Sequence, residues 1–118
     1  DIGQREERNL GFRTAGGALR ADLLLLAHHG SQTSTSDEFL DLVQPRIAMV
    51  QAGWRNRFGH PAPVVLDRLR ARGVVIHATA TCGAIRWSSR SPGDVHCHRD
   101  ASRRYWTHAP PAGFGESP

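Results

Sequence analysis

Two adjacent histidines, His28 and His29, followed by Gly30 and Ser31, close the apolar run Leu23 to Ala27. Neutral imidazole is the commonest protein ligand for zinc and related metals. Glycine lets a backbone approach closely, and a serine hydroxyl can donate to a phosphate. On extended backbone, neighbouring side chains point in opposite directions. One imidazole would then face a metal while the other faces substrate or an adjacent loop. The bland alternative is a histidine pair satisfied by backbone at a strand end, which is the usual fate of an arbitrary pair. The Gly-Ser step on a strand-to-helix loop favours chemistry.

A second cluster follows in Trp54-Arg55-Asn56-Arg57-Phe58-Gly59-His60-Pro61. Arg55, Arg57, Asn56 and His60 suit a clamp on a phosphate and its leaving group. Read alone, the segment is equally an ordinary basic loop. Asp1 is a third element, because an aspartate closing a strand can bridge two metals; by itself it carries almost no signal. Thr79, Thr81 and Cys82 are explained as well by turn chemistry. His77 reads as structural. His96 and His98 flank Cys97 in metal-like spacing but fall in an irregular tail. His108 has no evident role. Cys82 and Cys97 lack Cys-x-x-Cys spacing, so they allow a disulfide without implying one, and a zinc knuckle is not indicated.

These residues need elements to position them. Asp1 to Leu10 reads as the end of a strand or loop followed by a short helix with Glu6 and Glu7 in its first half, and Gly11 to Arg20 as a glycine-rich loop. Asp22 to Ala27 reads as a strand whose unbroken apolar character suits a sheet covered on both faces. It is too short to span a bilayer, which takes about 20 apolar residues. Ser31 to Ser36 is a loop feeding a helix over Asp37 to Val43, with Thr35 and Glu38 spaced as a capping box and Pro45 as terminator. Ile47 to Gln51 is the next strand. Pro61 and Pro63 open a helix to about Arg72, with Val65, Leu66 and Leu69 on its buried face and Gly73 beyond its end. Val74 to Ala78 and Ala84 to Ser88 read as strands joined by a turn at Thr81-Cys82-Gly83. Alternating helices and strands predict an α/β layer with parallel strands at its centre. Both candidate loops then follow strand C-termini and share the edge where open α/β sheets place their sites. Residues 91–118, rich in Pro, Gly, His and Arg, read as a loosely ordered tail, with Tyr105-Trp106 as an anchor.

The chain has 118 residues, enough for one small domain, and it starts without a methionine, as a piece of a longer protein would. No targeting or transmembrane segment is legible. All 15 basic residues are arginine, and the net charge is +4. Arginine forks suit phosphate, so a polyanion such as nucleic acid is a natural partner. Charge by itself is more often only a solvated basic surface.

Together, "DLLLLAHHGSQTS" (22–34), "PRIAMVQAGWRNRFGHPAPVVLDRL" (45–69) and "TATCGAIRW" (79–87) resemble the metallo-β-lactamase-like domain of the ComEC family of DNA-uptake competence proteins. The resemblance covers about residues 1–88, and the Arg-Tyr-Trp of the tail is similar to some members. It implies an α/β fold: the C-terminal half of a four-layered αββα sandwich, with a mixed sheet flanked by helices over residues 1–90. The His-x-His-x-Asp-His motif that supplies most ligands in such domains is absent and would lie upstream. Asp1 matches the bridging aspartate. The His28-His29 pair matches the last ligand position, with His29 favoured as the ligand and His28 beside it. His28, His60, Arg55, Asn56, Arg57 and Ser31 would face substrate. The implied cofactor is a divalent metal, two ions of manganese or zinc, completed by upstream ligands. Ala62 stands where a second histidine often follows Gly-His-Pro, and Thr81-Cys82-Gly83 replaces a more acidic turn.

The resulting expectation is part of a metal-dependent nuclease or phosphodiesterase, inactive as this chain alone. Its parent would be an inner-membrane protein with a membrane channel domain, and this domain would be periplasmic. DNA is the expected partner. An exposed inner sheet face would also favour self-association. The alternatives are a DNA-binding platform without hydrolysis, and a hydrolase of small phosphoesters or lactones on the same fold.

Overall fold

The computed structural model describes residues 2–14 and 19–101. Asp1, Tyr105, Trp106 and His108 lie outside the described residues, and with them the bridging-aspartate and tail-anchor expectations.

The centre is a parallel sheet built from β1 (Leu23–Leu25), β2 (Ile47–Val50) and β3 (Val75–Ala78), in the spatial order β1-β2-β3. Two helices make the crossovers, α2 (Asp37–Val43) and α3 (Pro63–Ala71). In the register, Leu24, Ala48 and Ile76 share one rung, and Val50 pairs with Ala78. Side chains alternate faces along a strand. Ala48, Val50, Ile76 and Ala78 therefore point to one face, where they are buried with Leu40 of α2 and Val65 and Leu69 of α3.

The opposite face corrects the expectation of a sheet covered on both sides. It carries Leu23, Leu25, Ile47, Met49, Val75 and His77 and is only partly covered, with Ile47 buried. Leu25 is 53% exposed and Val75 43%. An apolar run in the sequence records what a strand offers for burial, not what covers it.

Helix boundaries follow local chemistry. The Ser36 hydroxyl accepts a hydrogen bond from the Phe39 N–H at 3.2 Å and is the N-cap of α2. The expected Thr35–Glu38 box is therefore not formed, and the N-cap lies one residue further on. Thr35 is instead buried with a left-handed backbone, φ 56°. α2 ends at Gln44 in the left-handed region, followed by Pro45. α3 begins with Pro63 at its first position and is closed by Gly73 at φ 68°. Arg72 ties the helices together through Asp37 at 2.8 Å and Asp41 at 2.9 Å.

The N-terminal helix α1 (Gln4–Arg13) runs further than expected, into the segment read as loop. Its Glu6 carboxylate accepts from the Gly3 N–H at 3.0 Å. Backbone N–H groups of Glu6 and Gly3 hold that carboxyl below the ordinary carboxylate range. Glu7 is 1% exposed and accepts from the backbone N–H groups of Thr35 and Ser36. It docks α1 onto the Ser/Thr loop.

The expected hairpin after β3 is also corrected. A short helix, α4 (Thr79–Cys82), follows β3, and β4 (Ile85–Trp87) pairs antiparallel with β5 (Val95–Cys97) in a separate ribbon. There is thus a parallel sheet and a small antiparallel one, not a single mixed sheet. The stretch read as tail supplies β5 and α5 (His98–Ala101). Cys82 and Cys97 form a disulfide that fastens this ribbon to α4. No helix among the described residues is long and apolar enough to cross a membrane.

Candidate functional site

Because β1, β2 and β3 are parallel, the loops after them emerge at one edge. A cavity of about 520 Å³ opens there. It is lined by His29 from the loop after β1, and by Gln51, Trp54, Asn56, Phe58 and His60 from the loop after β2. Thr79 and Ala80 beyond β3, and Arg99 of α5, complete it. Juxtaposition of the two sequence clusters thus holds.

The His28-His29 pair is not on extended backbone. Both residues occupy the left-handed region, φ 51° and 55°, within a 3-10 turn over Ala27–Gly30. The expectation that they alternate across a strand end is replaced by a tight turn. Gly30 follows at φ 77°, and a Cβ there would stand 2.8 Å from the Pro61 Cβ. Its carbonyl accepts from the Ala62 N–H at 2.9 Å. The two candidate loops are clipped together at this glycine.

His29 Nδ1 lies 2.7 Å from the carbonyl oxygen of Gln51. A carbonyl only accepts, so Nδ1 carries a proton, and Nε2 is the ring nitrogen left to coordinate a metal. His28 is exposed, with its ring centroid 6.1 Å from that of His60. His60 stacks on Phe58 at 5.9 Å, and its buried Nδ1 has no hydrogen-bond partner among the described residues.

Two residues expected at the substrate are spent on the loops themselves. The Ser31 hydroxyl is buried, 3.0 Å from the Thr33 hydroxyl, and accepts from the Thr33 N–H. It does not line the cavity. Asn56 Oδ1 accepts from the His60 N–H at 3.0 Å, while its Nδ2 donates to the carbonyls of Gly53 and His60. Asn56 lines the cavity, yet its polar atoms brace the loop and are not offered to a leaving group. Arg55 and Arg57 are exposed in the same loop, and neither is among the residues lining the cavity. Arg55 lies 5.9 Å from the Trp54 ring centroid, and Arg57 4.7 Å from that of Phe58.

Thr79, a weaker candidate in the sequence, lines the cavity, and its Oγ1 bonds both the N–H and the C=O of Ala52, at 3.1 and 3.2 Å. One lining residue was not legible. Arg99 reaches the cavity from a stretch that carries no periodic signal, packed against Gly83. His96 and His98 are exposed on β5 and α5. Of the proposed ligands, His29 fits a metal, because a ligating histidine characteristically donates its other ring N–H to a carbonyl or carboxylate. Among the described residues, the cavity holds no group of three clustered His, Cys, Asp or Glu ligands.

Comparison with known proteins covers this same stretch. The chain is 35% identical over 95 residues to Competence protein ComA of Neisseria gonorrhoeae, a match spanning 80% of this chain and 14% of that protein. This chain is a homologue of competence proteins. It is also 38% identical over 69 residues to ComE operon protein 3 of Bacillus subtilis, 58% of this chain and 9% of that protein. A third relative, Recombination protein 2 of Haemophilus influenzae, is 36% identical over 67 residues, 57% of this chain and 8% of that protein. These relatives support kinship with ComEC-family competence proteins. The matched segment is a small part of each relative. No family model matches, and no solved structure matches.

Proposed function

We propose that this chain is the C-terminal part of a metal-dependent phosphodiesterase domain in a DNA-uptake competence protein. The observation that carries this reading is the His29 imidazole, held through Nδ1 by the Gln51 carbonyl on the wall of a strand-edge cavity. His29, with Asp1 and upstream residues, would hold the metal. A bound divalent ion would supply an activated water and charge stabilisation at phosphate.

The chain's own residues do the rest. Gln51 sets the tautomer of His29. Gly30 and Asn56 hold His28 and His60 near each other at the cavity mouth. Arg55, Arg57 and Arg99 provide positive charge where a phosphate backbone would lie. The word competence in the name of the Neisseria gonorrhoeae relative supports DNA as the substrate. The whole protein would sit in the inner membrane, with this domain on its outer side.

The test is DNA cleavage by a polypeptide extended upstream of Asp1, assayed with manganese or zinc, with and without chelator. Cleavage that requires metal and is lost in His29→Ala supports the reading. Intact DNA across both metals overturns it.

One observation favours a second reading, a DNA-binding platform without hydrolysis. Arg55 and Arg57 are each paired with an aromatic ring, and such basic-aromatic surfaces hold single strands by charge and stacking. Salt-sensitive DNA binding that chelator leaves unchanged, without cleavage, would select it.

A further inference from the structure

His77, Cys82 and Cys97 meet on the open side of the sheet, apart from the cavity residues His29 and His60. Their potential ligand atoms all lie within 4.8 Å of one another. His77 comes from β3, Cys82 from α4 and Cys97 from β5, so three elements converge on one point. The two sulfurs are joined in a disulfide, and His77 Nδ1 lies 3.9 Å from Cys82 Sγ. In a tetrahedral zinc site with Zn–S of about 2.3 Å and Zn–N of about 2.0 Å, ligand atoms stand roughly 3.5–3.8 Å apart. The histidine, at 3.9 Å from one sulfur, needs only a small approach to reach that spacing. Cys82 is buried, while His77 and Cys97 are half-buried, so the cluster retains a solvent-facing side for a water as fourth ligand.

We propose that Cys82, Cys97 and His77 form a soft-metal site, selective for zinc, that replaces the disulfide when the cysteines are reduced. A dithiol reductant gives the disulfide two electrons and two protons and is itself oxidised to a disulfide. Zinc then displaces one proton from each thiol, and both protons pass to solvent. The link between α4 and β5 persists in both states, as an S–S bond or as S–Zn–S. That link matters to the cavity, because Arg99, which lines it, lies two residues beyond Cys97. Reduction without metal would free the ribbon and with it Arg99.

The experiment uses this chain and cobalt(II) as a spectroscopic stand-in for zinc. A trialkylphosphine reduces the disulfide, becoming its oxide with oxygen from water, and leaves no competing thiol. The reduced chain should develop thiolate-to-cobalt charge-transfer absorption that saturates at one equivalent and is displaced by zinc. The oxidised chain should show none. His77→Ala should weaken cobalt binding at least tenfold, with circular dichroism checking that it folds. In the unsubstituted reduced chain, zinc should protect Cys82 and Cys97 together from alkylation. Cobalt bound at the cavity histidines gives no thiolate charge-transfer band, so the two sites are distinguishable. Absence of the band in the reduced chain, equal affinity in His77→Ala, or both thiols still alkylated under zinc would each overturn the proposal.

Discussion

The His29 imidazole donates its Nδ1–H to the main-chain carbonyl of Gln51 across 2.7 Å, joining the loop after β1 to the loop after β2. This contact fixes a tautomer and aims Nε2, and it ties the candidate ligand to the loop bearing the basic cluster. Removing the ring should therefore affect metal chemistry far more than stability, since the residue is exposed. His29→Ala in the extended protein should lower metal-supported cleavage by about 100-fold, at the upper end of what loss of even an outer-shell partner costs. The unfolding midpoint should stay near that of the parent. Single-turnover cleavage beside a urea melt checks both.

Gly30 brings the two loops into contact. A methyl group there meets Pro61 at 2.8 Å, and the left-handed φ of 77° disfavours any L side chain. Gly30→Ala should destabilise by at least about 2 kcal/mol, combining backbone strain with a clash that only loop movement can relieve. Chemical denaturation would read this directly, and an unchanged midpoint would contradict the close approach.

Asn56 makes three hydrogen bonds within its own loop. Asn56→Asp keeps the acceptor for His60 N–H but loses both donors to carbonyls. A loss of about 1–3 kcal/mol is expected, from loop carbonyls deprived of partners. Hydrogen exchange at His60 should rise more in Asn56→Ala than in Asn56→Asp.

Glu7 carries a buried carboxylate whose partners are the N–H groups of Thr35 and Ser36. Glu7→Ala leaves those donors without an acceptor, and about 2–3 kcal/mol should be lost, hydrogen bonds to a charged group being the stronger kind. Glu7→Gln should lie between, since one oxygen still accepts. Thermal unfolding of the three proteins gives the order.

Arg55 and Arg57 stand exposed in the loop after β2, each beside an aromatic ring. If each contacts one phosphate, replacing both with alanine should reduce the slope of log K against log salt by about 2 and weaken DNA binding regardless of sequence. Fluorescence anisotropy across a salt series measures it. An unchanged slope would remove these arginines from the DNA contact.

The sequence by itself determined the helix over Asp37 to Val43, the proline-led helix after His60, the parallel strands, and the shared edge of the His-His and Arg-Asn-Arg loops. Those features rest on local chemistry: caps, prolines, apolar period, and the rule that parallel strands present their C-termini together. Tertiary structure alone decided where the polar groups point. Ser31 and Asn56 look like substrate ligands in the sequence, yet each is consumed by a hydrogen bond that only the folded loop supplies. The burial of Glu7 against Thr35 and Ser36 depends on contacts between segments far apart in the chain, whereas β4 pairs with the nearby β5 rather than with β3. Residue type and spacing record what a side chain can do. The partners that claim it are set by the fold.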